Sequence, residues 1–246
     1  MALLFTATTI NYIDRQIIGL LKPLLEKEFN WSETDFARIV MAFQAAYAVG
    51  LLGFGWFVDR VGTRIGYAVS VVFWSAAGML HALASSAVGF GLARLALGLG
   101  EAGNYPAAVK TVAEWFPKRE RGLATGLFNA GTSLGVVAAL GLVPPVLNRF
   151  GWQGVFLVTG ALGFVWLGFW WVFYEIPERQ KRLTGAERDY IAAGQEAGAE
   201  ATMPIRWVRL FRQPQTWALI TGKGLIDPIY WFFLFWLPSF FYAKFG

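Results

Sequence analysis

The chain has 246 residues, 56% of them hydrophobic and only 15% charged, with a mean hydropathy of +0.47. Soluble domains carry nearer a quarter charged residues, so this balance points to a membrane protein. There is no Cys, which excludes disulfides, thiolate metal sites and Cys nucleophiles; a single histidine, His81, argues against an imidazole metal cluster, and a net charge of +5 scattered among loops argues against a nucleic-acid partner.

Spans of about 20 mostly apolar residues mark membrane crossings. The first runs from Met1 to Leu21. It lacks the basic leader and small-residue cleavage site of a signal peptide, and instead carries "NYIDRQ", in which Asn11, Asp14 and Arg15 are three and four positions apart and share a helical face. The start of this span reads as clipped, because no polar residues precede it. Asn30-Trp31-Ser32 formally matches a glycosylation sequon in the short turn that follows.

The second and third spans, Phe36 to Val58 and Ile65 to Ala84, are joined by "GFGWFVDRVGTRIG". Glycines permit the tight reversal. Asp59, Arg60 and Arg64 are placed there to bind neighbouring helix ends in one conformation and release them in another, with ordinary loop chemistry as the alternative. His81 reads as a polar residue near a span end.

The fourth span, Val88 to Val109, carries the polar stripe Arg94, Glu101, Asn104 and Tyr105. Its "GLGEAG" matches G-x-G-x-x-G in letters alone, since a dinucleotide fingerprint needs a preceding strand. Inside a membrane helix such glycines permit close packing. The fifth span, Leu123 to Leu147, has "GTSLG" and the pair Pro144-Pro145, read as packing and a bend; the sixth is Trp152 to Tyr174.

A long polar connection follows, in which Thr184 precedes Glu187 by three residues; this capping-box spacing predicts a short cytoplasmic helix. The seventh span, Thr216 to Tyr242, places Lys223, Asp227, Tyr230 and Trp231 on one face, with Pro228 expected to interrupt the helix. A kinked helix with its Lys near the cytoplasmic end is the plainer reading.

Lys and Arg concentrate in alternate connections: Arg60 and Arg64; Lys110, Lys118, Arg119 and Arg121; then Arg179, Lys181, Arg182, Arg188, Arg206, Arg209 and Arg212. The opposite side holds Lys22, Lys27 and Arg149. Basic-rich loops stay in the cytoplasm, so the N-terminus is expected there. The organisation expected is a six-span bundle over 1–174, a cytoplasmic linker with a short helix over 175–214, and a seventh span over 215–246.

Asp14, Arg15, Arg94 and Glu101 are costly inside a membrane, each about 2.5–3.5 kcal/mol at a span centre on insertion scales. Such groups face a cavity or one another. In one reading they are structural ion pairs or snorkelling side chains. In the other the arginines hold an anionic substrate, since guanidinium presents a planar fork to a carboxylate, and the carboxylates load protons.

The Asp59–Arg60–Gly62–Arg64 turn resembles the signature of the major facilitator superfamily, although Ile65 stands where a basic doublet would close it. "INYIDRQ", "RLALGLGEAGNYPAAVKTVAEWFPKRERGLATG" and "DPIYWFFLFWLP" are similar to the bacterial hexuronate/galactonate branch of the anion:cation symporters, and the likeness runs along nearly the whole chain. It implies an all-α membrane fold, here the N-terminal six-helix bundle plus the seventh transmembrane helix of a 12-span architecture. It also implies proton-coupled symport of a sugar-acid anion across the bacterial inner membrane.

Carried over, the resemblance puts Arg15 at the substrate carboxylate, with Tyr12, Tyr105, Asn11 and Trp231 lining the site. Glu101 is the main coupling acid, Asp14 the second, and Arg94 the charge partner of Glu101; Asp59, Arg60 and Arg64 form the conformational latch. No cofactor or metal is expected beyond the coupling proton, and the partners are a small anionic sugar acid and the lipid bilayer, with a monomer at full length. Seven spans predict a fragment of such a carrier. A carrier for another organic or inorganic anion, or a non-transporting sensor on the same bundle, are the alternatives; an enzyme is disfavoured by the missing Cys and lone His.

Overall fold

The computed structural model describes residues 1–196 and 210–245. Arg206 and Arg209, counted above for orientation, and the middle of the 175–214 connection lie outside them. The described residues form helices: α1 (Ala2–Phe29), α2 (Glu33–Val61), α3 (Thr63–Leu80), α4 (Ala87–Glu101), α5 (Asn104–Trp115), α6 (Arg121–Phe173), α7 (Gly185–Glu196) and α8 (Pro214–Phe245).

Local chemistry sets the ends. Asn30 closes α1 in the left-handed region at φ 51°, where its own N–H donates to Glu26 O. Ser32 then opens α2 through a reciprocal capping box with Asp35. Gly62, at φ 84°, makes the reversal into α3 that a side chain would strain. Ser86 caps α4 by accepting from Gly89 N.

The fifth and sixth spans are one helical run, α6, reversed at Gly151 (φ 70°, ψ 180°). The reversal is visible in what each arm touches. Along the first arm, Gly131 meets Phe5 and Gly135 meets Thr9, so the arm rises with α1. Along the second, Trp152 donates to Glu28 and Trp166 to Leu3 O, so it descends.

Counting both arms, and taking α4 and α5 end to end, the described residues make seven crossings. Four described segments are long and apolar enough to cross a membrane by themselves: Glu33–Val61, Thr63–Leu83, Lys118–Phe173 and Pro214–Phe245. The polar cluster in α1, and the division of the fourth span, explain why those two are not among them.

Backbones approach closely at glycines, as they do in bilayer bundles. A Cβ on Gly98 would sit 2.5 Å from Phe43 O, and one on Gly135 2.5 Å from Thr9 O. Gly98→Val is therefore expected to destabilise the bundle by about 1–3 kcal/mol or more through overpacking. Thermal unfolding in detergent, followed by fluorescence, checks it against the neutral control Gly91→Ala, whose Cβ position is open.

His81 is buried, its Nδ1 2.9 Å from Ala77 O and its ring stacked on Phe156. The linker helix α7 begins at the expected capping box: the Thr184 N–H and hydroxyl both donate to Glu187. Those two bonds hold the Glu187 carboxyl below the usual carboxylate range. The cap is therefore intact above the ordinary glutamate range and is lost as pH falls through the depressed value. α7 docks by Gln195, which donates to the carbonyls of Ala113 and Glu114 at the end of α5.

α8 lies against α1, where the backbone of Leu234 and Phe235 meets Gly19, and its remaining surface is largely exposed. Pro228 does not interrupt it. The helix absorbs both Pro228 and Pro238, and Gly224, whose carbonyl loses its partner to Pro228, sits on a cavity-lining stretch between α2 and α8.

Candidate functional site

The charged residues of α1 and α4 converge at mid-bundle. Arg15 Nε donates to Glu101 Oε2 at 2.6 Å, and the two side chains are 3% and 0% exposed. Around the guanidinium stand four aromatic rings, with centroids at 4.4 Å (Tyr47), 4.8 Å (Tyr12), 5.4 Å (Phe43) and 5.8 Å (Trp231). These distances are those of cation–π contacts, which strengthen when the cation is desolvated. Trp231 comes from α8, so the site spans α1, α2, α4 and the seventh crossing.

The expected Glu101–Arg94 pairing is not what forms. Two helical turns separate the two residues, about 10 Å along one axis, whereas Arg15 on the neighbouring helix stands abreast of Glu101. Arg94 is buried beneath the Phe43 ring, and none of its guanidinium nitrogens has a hydrogen-bond partner among the described residues. It keeps electrostatic reach of both Glu101 and Asp14.

Asp14 follows a different direction from Arg15, being one residue away along the helix. Both its oxygens are buried without a hydrogen-bond partner among the described residues, beside Thr159 of α6 and within reach of Arg94 and Glu101. Asn11 is fully buried and its amide is likewise unpartnered. Asn11, Asp14 and Arg15 thus line one buried region without bonding to one another.

The polar stripe on the fourth span is divided. α4 ends at Glu101 and α5 starts at Asn104, with a tightened turn (Gly103 N–H to Gly100 O) between them, next to Pro106, which has no N–H to continue the ladder. Asn104 therefore turns to α3, where Tyr67 Oη donates to its Oδ1. Tyr105 is 46% exposed with its ring near Phe128, and is not brought to Arg15. It does lie within electrostatic reach of Lys223 on α8, as does Tyr12. Lys223 itself is paired with Asp227 at 2.8 Å.

At the end of the bundle holding the α2–α3 turn, Lys110 Nζ bonds Asp59 Oδ1 at 2.9 Å and Val58 O at 3.0 Å. Arg64 pairs with Glu175 and donates to Trp171 O at 2.9 Å. Arg60 lies over the Trp56 ring. Glu114 adds a junction that sequence reasoning missed, accepting from both Thr63 and Tyr174.

Tyr47, Phe43 and Thr159 were also missed. Phe43 and Tyr47 are four apart and stack on one another, a spacing that marks a common face. In a chain with 17% aromatic residues, that spacing alone does not stand out.

The helical fold agrees with what the chain is similar to. The model of the Major Facilitator Superfamily matches residues 4–246. The Hexuronate transporter of Escherichia coli (strain K12) is 37% identical over 248 residues, covering 100% of this chain and 57% of that protein. The Galacturonate transporter of Dickeya chrysanthemi is 35% identical, covering 100% of this chain and 72% of that protein. Among solved structures, a bacterial homologue of the human lysosomal transporter Spinster matches with a TM-score of 0.74 at 21% identity, covering 98% of this chain and 54% of that one; it supports the fold. The chain spans little more than half the length of the Escherichia coli relative. It is a multi-pass membrane protein and belongs to the Major Facilitator Superfamily.

Proposed function

We propose that this chain supplies the first six-crossing bundle and seventh crossing of a proton-coupled symporter for a sugar-acid anion of the hexuronate or galactonate class, working by alternating access. The observation that carries the reading is the buried Arg15–Glu101 pair inside its aromatic ring. A desolvated guanidinium left without a counter-charge is strongly unfavourable. Two anions compete for it: the Glu101 carboxylate and the carboxylate of the substrate. Protonating Glu101 removes the first and frees the fork for the second, so proton and substrate load together and leave together.

The named relatives support the substrate class, because they are hexuronate and galacturonate transporters. Tyr12, Tyr47 and Trp231 offer flat apolar faces and hydroxyls to a sugar acid held on Arg15, and the unpartnered amide of Asn11 is free to take one of its hydroxyls. Asp14 is the second proton site, and Arg94, within electrostatic reach, balances its charge. Asp59 and Arg64, bonded to α5 and to the end of α6, hold the basic end of the bundle in one conformation, with Arg60 beside them. The basic turns favour a cytoplasmic position for that end and for the N-terminus, in a carrier of the bacterial inner membrane.

The test is uptake of glucuronate, galacturonate and galactonate by membrane vesicles containing the full-length carrier, with and without an inward proton gradient. Accumulation of at least one of them above the external concentration, abolished by collapsing the gradient, is the expected result. Uptake indifferent to the gradient would sink the coupling, and failure of all these acids to be carried would sink the substrate class.

A further inference from the structure

At the end of the bundle opposite the basic turns lies a second charged cluster that the site above does not use. Lys22, on α1, is 1% exposed, an unusual state for lysine. Its Nζ bonds Glu33 at 2.7 Å and Glu26 at 3.3 Å and lies 5.0 Å from the Phe36 ring centroid. Lysine therefore occupies one oxygen of Glu33. The other oxygen accepts, at 3.1 Å, the indole N–H of Trp236 on α8.

We propose that Lys22, Glu33 and Trp236 form the outer gate of the carrier, a bond between α8 and the bundle that must break before the cavity opens at that end. The proposal rests on the alternating-access reading above. Lys22, Glu26 and Glu33 all belong to the bundle and move together. Among the described residues, Trp236 to Glu33 is the one hydrogen bond joining α8 to the six-crossing bundle; Trp217 and Thr216 bond to Phe211 and Gln213, just ahead of the helix.

The surroundings suit a closure. Trp236 meets Phe36 edge-on at 5.4 Å and stacks on Phe232, above a cavity of about 480 Å³ that also reaches Phe240. Next along α8, Phe235 is buried to 1% among the residues of α1 and α2, and its backbone closes on Gly19. The seam thus has an aromatic plug, bolted at its mouth by one bond to a carboxylate that Lys22 holds in place. Lys22 fixes the position of that carboxylate, so the gate is held by the Trp236 bond together with the aromatic packing.

Accessibility tests this without substrate. This chain contributes no cysteine, so Leu234→Cys, placed in the half-buried seam beside Gly19, serves as a reporter in an otherwise cysteine-free full-length carrier. Intact cells are treated with a membrane-impermeant maleimide. Trp236→Phe keeps the ring and deletes the donor; a net hydrogen bond of ordinary strength corresponds to roughly a three- to ten-fold rise in reporter labelling rate. Glu33→Ala, which leaves Lys22 paired with Glu26, is expected to do the same. Unchanged labelling in both variants, with protein that runs as a single species in detergent, overturns the gate. A Lys181→Cys control at the basic end separates the two ideas: labelling there from outside would reverse the assigned orientation, a failure of the functional reading rather than of the gate.

Discussion

Glu101→Gln abolishes proton-driven accumulation while leaving downhill exchange of substrate in place. Glutamine is close to the shape of a protonated glutamate and still offers Arg15 a carbonyl oxygen, so the ion pair becomes a hydrogen bond from a cation to an uncharged amide, which no pH change can reverse. Arg15 is then always available to the substrate, and the proton has no carboxylate at this position to bind. The expected accumulation ratio in vesicles with an inward proton gradient falls to roughly unity, and the dependence of uptake on external pH flattens. Counterflow of labelled substrate, which needs binding and access but no gradient, continues. Gradient-driven accumulation at the wild-type level would show that Glu101 is not the coupling acid, and Asp14→Asn becomes the next variant to examine.

Arg15→Lys weakens substrate binding roughly ten- to hundred-fold, read as the half-saturating concentration in exchange assays, with the gradient dependence retained. The loss corresponds to about 1.5–3 kcal/mol, the value of a hydrogen bond to a charged group. Lysine keeps the charge and so keeps the competition between Glu101 and the substrate anion. It loses the planar fork, and with it the cation–π contacts to Tyr47 and Tyr12 that hold the group flat between the rings. Tyr47→Phe, which retains the ring, is expected to cost less than Tyr47→Ala. An unaltered half-saturating concentration in Arg15→Lys would remove Arg15 from the binding role.

The four charges Asp14, Arg15, Arg94 and Glu101 were legible in the sequence because ionised side chains are costly and rare in apolar spans. Their pairing was not legible. Spacing along one helix relates Arg94 to Glu101, but the bond that forms is set by the register between α1 and α4, which a pattern within either helix does not contain. The stripe Glu101–Asn104–Tyr105 failed for a local reason: extrapolating one continuous helix ignored Pro106, and the break sends Asn104 to Tyr67. Pro228 invited the opposite error, because α8 passes through it unbroken. The α5–α6 boundary and the reversal near Gly151 were readable from Gly, Pro and charge, whereas Tyr47 was hidden among many aromatics.

The glycine contacts also bear on where this molecule bends. Gly98, Gly100, Gly103, Gly131, Gly135, Gly160 and Gly163 each have a neighbour where a side chain would begin, all within the six-crossing bundle. Backbones held this near to one another leave little slack, and an interior at crystal-like density resists shear. On α8, a Cβ at Gly222 or Gly224 would meet nothing within 4 Å, and the backbone contact that α8 makes at Gly19 is at ordinary van der Waals distance. Stiffness is therefore distributed unevenly. The glycine seams favour a bundle that moves as one body, and the α1–α8 contact at Gly19 is where a change of access to Arg15 would need the least repacking.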